Sequence, residues 1–385
     1  MLLKDKQVAI VGGGPGGLTL AKLLQLKGVD VTLYERDADQ NARVQGSPLD
    51  LHEHSGMAAL REAGLLEAFK QNFLPGADRK LITDAQAQVY FSDHDKPEEN
   101  FGHQHFRPEI DRGTLRKILL DSLKPRTVVW DSHFTGMDKQ GEGWSLHFKY
   151  KASVYADLVI AADGANSKIR PYITDIKPFY SGITMLEGNV RNAVESAPQV
   201  SKLIKGGKIM AFGKGKDLLL GQKGNGDLGF YASIKVPEDW SVTNGLNYKD
   251  NEQVLTWFKE FYNDWSSIWY ELFQNAETPF IPRPINCMPL DQTWQALPNA
   301  TMIGDAAHVM PPFAGEGANM AMLDALELSR ALTDDTCKHL QEAIAAFEEQ
   351  MRARAAVAAR ESLANGELMH ADNALADMLA MFGGH

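Results

Sequence analysis

Three glycines near the N-terminus have the spacing that suits a bound pyrophosphate. Gly12-x-Gly14-x-x-Gly17 follows the apolar run KQVAIV (6–11) and opens LTLAKLLQLKG, whose leucines recur at helical spacing up to Gly28. In a strand–turn–helix of this kind the first glycine permits the tight turn. The second lets the backbone approach the phosphates, and the third lets the helix pack close to the strand. The unpaired N–H groups at the helix start then hold the phosphate charge. Glu35 ends a second buried-strand run, VDVTLYER, 23 residues after Gly12, with Arg36 beside it. A carboxylate there can take ribose hydroxyls, so the expected ligand is a dinucleotide. A second match, Gly224-x-Gly226-x-x-Gly229, lies between two strand-like runs with no helix after it, and reads as a hairpin turn.

The βαβ unit alone does not separate NAD from FAD. The segment from Met302 to His308 (MIGDAAH), followed by MPPFAGEGAN, does. A buried strand ends at Gly304, where Asp305 can reach a ribityl hydroxyl. The loop through Phe313, Gly315, Gly317, Ala318 and Asn319 then presents backbone N–H groups at a helix start, suited to the electron-rich pyrimidine edge of a reduced flavin. A third element, DGANSKIR from Asp163 and Gly164 to Arg170, stands at another strand end.

These residues need a sheet to hold them. Apolar runs at 6–11, 31–36, 157–162 and 300–303 read as strands buried on both faces, and 56–73 and 111–123 as helices. From 173 to 280 alternating segments (KIMAFG, DLLLGQ, GFYASIKV) with glycine turns point to an antiparallel sheet. A helical tail covers about 339–381. The organisation expected is therefore α/β with a split first lobe: 1–172, an inserted sheet domain at 173–280, a return at 281–335, and a C-terminal helix at 336–385.

Composition limits the alternatives. The chain has 385 residues, 44% hydrophobic and 23% charged, a globular mix that excludes a disordered or fibrous protein. With 39 basic and 50 acidic residues the net charge is −11, which argues against nucleic acid or an anionic membrane as partner. Two cysteines, Cys287 and Cys337, exclude a disulfide framework or zinc ribbon. With no signal-like or spanning apolar run, a cytoplasmic protein is expected.

The three elements in this order resemble the FAD-dependent aromatic hydroxylases, the group A flavoprotein monooxygenases with the para-hydroxybenzoate hydroxylase fold. GGGPGG, DGANSKIR and GDAAHVMPPFAGEGAN match that family's motifs. Within it, VAIVGGGPGGLTLAKLLQLKGVDVTLYERD, LDLH and PEIDRGTLRKILL are similar to the Tet(X)-type tetracycline-inactivating monooxygenases.

The resemblance implies a split Rossmann-type FAD domain, an inserted substrate-binding sheet and a bridging C-terminal helix, expected to act as a monomer. It implies hydroxylation of an aromatic or polyketide-like molecule, plausibly tetracycline, through a flavin C4a-hydroperoxide, with NADPH and O₂ as co-substrates and no metal. It places Arg43 near NADPH and the flavin ring, Asp50 and Arg112 on the flavin side, and Asp163 and Gly164 near both cofactors. Because the chemistry belongs to the flavin, no side-chain acid or base is required. Met210, Phe313, Asn365 and Met369 occupy the family's substrate positions. Glu187 and Gly229 stand where those enzymes carry a Gln and a His, Lys208 where they carry an arginine, and Leu220 where they carry an aromatic.

Other chemistry-bearing residues have plainer readings. The pairs His52/His54 and His103/His105 read as turn histidines, and His308 as bonded to its own turn. The run from Glu348 to Arg360 reads as a solvated helix face. Arg116 and Arg170 suit ion pairs. Two rival functions fail on residues, and a third is separated by experiment. A nicotinamide dehydrogenase leaves the GDAAH…PPFAG element unexplained. A flavin halogenase needs a W-x-W-x-I-P pattern that the seven tryptophans do not form. A non-catalytic flavin-binding protein would bind FAD without substrate-stimulated NADPH oxidation.

Overall fold

The computed structural model describes residues 2–42, 47–97, 100–103, 106–334 and 337–383. A five-stranded parallel sheet runs in the order Ala300–Met302, Leu158–Ala161, Val8–Val11, Val31–Tyr34, Val128–Val129. Val8–Val11 and Leu158–Ala161 are buried at every position, as unalternated apolar strands must be. The late strand Ala300–Met302 pairs with Leu158–Ala161, so this lobe is built from both ends of the chain. Helix Pro15–Leu26 packs on helix Gly317–Thr333: a Cβ at Gly16 would stand 2.9 Å from the Ala321 carbonyl oxygen. Only a glycine allows that approach.

The inserted sheet has seven strands, ordered Ile281–Cys287, Phe179–Val190, Leu228–Lys235, Lys216–Gln222, Lys208–Gly213, Lys80–Asp84, Val89–Ser92. All pairs are antiparallel except Lys208–Gly213 with Lys80–Asp84. Three strands cross the boundaries read from sequence. The 80–92 hairpin lies within 1–172 yet joins this sheet, and Ile281–Cys287 still pairs with Phe179–Val190. Alternation identifies a strand but not its partner, and the buried side chains of Leu81 and Ile82 find cover only here. One sheet face, including Leu186, Ile209, Leu218, Leu220 and Phe230, packs on Phe258, Trp269 and Phe273. Alternation turns the other face toward the parallel-sheet lobe.

Helices Leu340–Met369 and Ala374–Gly383 close the molecule. The expected solvated face on the first is corrected in part. Glu348 is fully buried, accepting from Thr301 Oγ1 and Trp294 Nε1, each at 2.8 Å. Arg352 lies over the Trp294 ring, and Arg354 reaches Asp324 at 3.4 Å. Those charges add to the helix–lobe contact that Ile344, Phe347 and Met351 make with the first lobe's core. At its far end Glu367 pairs with Lys235 of the seven-stranded sheet at 2.7 Å, so the helix bridges the two lobes.

Candidate active site

Four loops leave the parallel sheet at the carboxyl ends of their strands, carrying Gly12–Gly14, Glu35, Asp163–Gly164 and Gly304–Asp305. Open α/β sheets bind ligands at that edge. Gly12 has φ +112°, and a Cβ there would overlap the Ala162 carbonyl. A Cβ at Gly17 would overlap the carbonyl oxygen of Gly12. Gly14 is different: its φ of −78° suits any residue, and nothing lies within 4 Å of its Cβ position. The protein leaves this space open, as an approaching phosphate requires. The helix behind it starts with Pro15 and has no side-chain cap and no acid in its first turn. Its N–H groups are therefore not taken by a capping side chain.

Glu35 is buried within the turn itself. Its carboxylate accepts the Gly13 N–H at 2.5 Å and the Asp37 N–H at 3.0 Å. Arg36 is exposed at the strand end, and Arg43 lies outside the described residues. Arg116 pairs with Asp37 at 3.0 Å.

At the second loop, Asp163 accepts the Lys168 N–H at 2.8 Å through Oδ2. Its Oδ1 is buried with no hydrogen-bond partner, and burial raises the acid's pKa. An unmatched buried carboxylate oxygen costs on the order of 1–3 kcal/mol, so its place beside the glycine turn fits a ligand hydroxyl. Gly164, at φ +84°, turns the chain. Arg170 donates to the carbonyls of Ala306 at 2.7 Å and of Asp305 and Ala165, each at 2.9 Å, tying this loop to the next.

There, Gly304 donates its N–H to Asp324 Oδ2 at 3.0 Å, and His308 Nε2 meets the same oxygen at 2.5 Å. Burial works against a charged ring, but the Asp324 charge and hydrogen bond outweigh it and raise the His308 pKa. His308 thus anchors the turn to the next helix, beyond its own turn. With the turn fixed, Asp305 stands exposed, its Oδ1 3.9 Å from the Cβ position of Gly317.

The loop Pro311–Gly317 is held against residues 47–56. Asn319 is fully buried: its Oδ1 accepts from His52 N, Ser55 Oγ and Gly56 N, and its Nδ2 donates to the carbonyls of Asp50 and Gly315. Its amide is consumed by this junction, so Asn319 shapes the loop, and Gly317 and Ala318 offer the backbone. Gly315, at φ +70°, brings its Cβ position to 3.3 Å from the Asp50 carboxylate. Arg112 donates from Nε to the Ser47 carbonyl at 2.9 Å. His52 is no free turn histidine: its ring bridges Asp50 and Glu316.

The open face of the inserted sheet carries three rows of side chains set by register. Asn189, Gly229, Gly221, Lys208 and Lys80 form the first, under Ser47 and Pro48. Lys208 pairs with the buried Glu109, whose own pKa burial pushes up to about 7. Met185, Ser233, Asp217 and Phe212 form the third, buried beneath His370 and Met369. Between them Glu187, Tyr231, Leu219 and Met210 make a half-buried floor. Phe313, Met210 and Met369 belong to one apolar cluster, and Asn365 donates to the Phe313 carbonyl at 3.2 Å.

Register sets Tyr231 opposite Glu187, with Gly229 in the first row of the same face, and Leu219 on the floor. Leu220 points into the other face. Alternation about Phe230, a core-type residue, puts Gly229 and Tyr231 alike on the open face, so the residue opposite Glu187 follows only from the pairing register. Glu187 is paired with Arg283.

The FAD binding domain family model matches residues 5–216 and 298–362, a span that includes the sheet strands Phe179–Val190 and Lys208–Gly213. The chain belongs to this family of FAD-dependent monooxygenases. Its cofactor is FAD. It is 27% identical to Monooxygenase penA of Penicillium thymicola, with 95% of this chain and 96% of that protein covered. Among solved structures, tetracycline destructase Tet(55) superposes with a TM-score of 0.78 at 19% identity, covering 100% of this chain and 96% of the other. Klebsiella pneumoniae HpxO, solved with FAD and uric acid, gives 0.78 at 19% identity, covering 98% and 92%.

Proposed function

We propose that this FAD enzyme uses NADPH and O₂ to insert one oxygen atom into an electron-rich aromatic or polyketide-like molecule. Tetracycline is one candidate substrate, another phenolic or polycyclic compound the alternative. The carrying observation is the half-buried floor of Glu187, Tyr231, Leu219 and Met210, facing the loop that holds Phe313. It offers an apolar bed with polar groups at one edge, the design of a small-molecule pocket.

FAD supplies the redox chemistry, drawing on NADPH and O₂. The chain's residues bind and orient. Gly12, Gly14 and Gly17 would admit the pyrophosphate, Glu35 the ribose, and Asp163 and Asp305 the ribityl and phosphate region. The N–H groups at Gly317 and Ala318 would meet the pyrimidine edge, with Asp50 and Arg112 beside it. Arg36 and Arg43 would lie on the NADPH side. Phe313, Met369 and Asn365 would shield the reacting centre from water. With Glu187 paired to Arg283 and opposite Tyr231, the polar edge offers a carboxylate and a phenol. A pocket that hydrogen-bonds one pattern rejects another strongly, which favours a substrate other than tetracycline.

No described helix is long and apolar enough to cross a membrane; a cytoplasmic monomer suits this reading. The test combines the FAD-loaded protein with NADPH or NADH, O₂, tetracycline and a panel of phenols. Product mass gaining one oxygen, with faster NADPH loss for that compound alone, supports the proposal. Peroxide release with every compound, or no cofactor oxidation, overturns it.

A further inference from the structure

His52 sits where two loops of the site meet. Its Nε2 is 3.0 Å from Asp50 Oδ2, and its Nδ1 is 3.1 Å from Glu316 Oε1. Asp50 ends the short strand Leu49–Asp50. Glu316 directly precedes helix Gly317–Thr333. A neutral imidazole donates from one nitrogen only, so one of these carboxylates would face a lone pair. Two carboxylates on one ring are satisfied together only by the imidazolium, which donates from both nitrogens.

We propose that His52 is a positioning residue: by bridging Asp50 and Glu316 it fixes the backbone at Gly315–Gly317, which would receive the flavin's pyrimidine edge. The inference rests on the FAD reading above. Asn319 staples the same junction through neutral hydrogen bonds to both loops, so His52 supplies its charge-dependent part. The charged groups acting on the bridge are Asp50, Glu316, Arg107, which stands 4.0 Å from Asp50, and Lys208 from the inserted sheet.

Their balance sets the pH window. Burial pulls the ring's pKa down, but the hydrogen bonds to Asp50 and Glu316 and the Asp50 charge outweigh it and hold it at about 9. Burial likewise pushes the Asp50 acid up, and His52, Lys208 and Arg107 bring it to about 2. A histidine raised in the folded state contributes fully below its ordinary value of 6.5 and loses that contribution as pH rises through about 9.

Two measurements test this. In the apoprotein, ¹⁵N-histidine NMR, with the signal assigned through His52→Gln, should show the ring titrating near 9; titration near 6.5 overturns the bridge. FAD affinity by fluorescence quenching, from pH 7 to 10, should weaken at least about tenfold across that step. Glu316→Gln should move the step toward neutral pH while keeping affinity near wild type at pH 6. His52→Gln should abolish it, since an amide cannot donate to both carboxylates through one rigid ring. A step unchanged in His52→Gln overturns the positioning role. A chain that takes up no FAD at any pH overturns the FAD reading instead, and the ring titration still reports on the bridge.

Discussion

The glycines of the first turn serve two different masters. Gly12 and Gly17 are demanded by the protein, since a Cβ on either would collide with backbone. Gly14 is not, because its surroundings are open and its φ is ordinary. Gly14→Val should therefore leave the apoprotein within ~1 kcal/mol of wild-type stability in urea unfolding, yet weaken FAD by at least about tenfold in a fluorescence titration. Gly12→Val should fail in both. Equal damage to folding by the two variants would show that the open space at Gly14 has no ligand role. Both glycines were legible from spacing alone. The unpartnered Asp163 Oδ1 was not, because sequence names a residue but not what its atoms lack.

At the scale of elements, the helix Leu340–Met369 is fitted to the Phe313 loop by its own glycine. A Cβ at Gly366 would stand 2.7 Å from the Phe313 ring. Gly366→Ala gains helix propensity of about 1 kcal/mol but displaces Phe313. The expected result is normal FAD affinity with a KM raised severalfold, read from steady-state rates on whichever substrate the panel yields. Just beyond the helix, His370 is buried, with Nε2 2.7 Å from Ser233 Oγ and 3.4 Å from Asp217 Oδ2. Burial holds its pKa down at about 4, and burial holds the Asp217 acid well above its usual range. A histidine lowered below its ordinary 6.5 contributes stability at neutral pH, lost progressively as pH falls from there toward about 4. Alone this would cost up to ~3 kcal/mol over that range, but Asp217, protonated in the fold and ionised in the unfolded chain there, works the other way and offsets it. In His370→Gln only the Asp217 contribution remains, so stability in urea unfolding should rise as pH falls from 6.5 toward about 4; a profile unchanged from wild type would refute the assignment. The helical tail was plain from its composition, whereas the partners of His370 lie on strands more than a hundred residues away.

For the whole molecule, the decisive contacts join distant parts of the chain. Glu348 links the bridging helix to the return strand through Thr301 and to Trp294. Glu348→Ala leaves two donors buried without partners and should cost about 2–4 kcal/mol in equilibrium unfolding. Glu348→Gln, which keeps an acceptor, should recover part of that loss. No recovery would mean that the carboxylate's charge toward Arg352, rather than its hydrogen bonding, carries the contact.

By itself the sequence determined the chemistry that is local. Turns, strand ends and helix starts depend on residues a few positions apart, so GGGPGG, DGANSKIR and GDAAH announced a flavin site directly. The tertiary structure alone decided what faces what. The 80–92 hairpin joined the inserted sheet, Tyr231 came opposite Glu187, and His52 found two carboxylates. Shifting a strand by one residue exchanges its faces, and an ion pair across lobes leaves no periodic trace in the chain. The flavin chemistry was therefore legible from GDAAH and the loop after it, while the shape of the half-buried floor depends on sheet register.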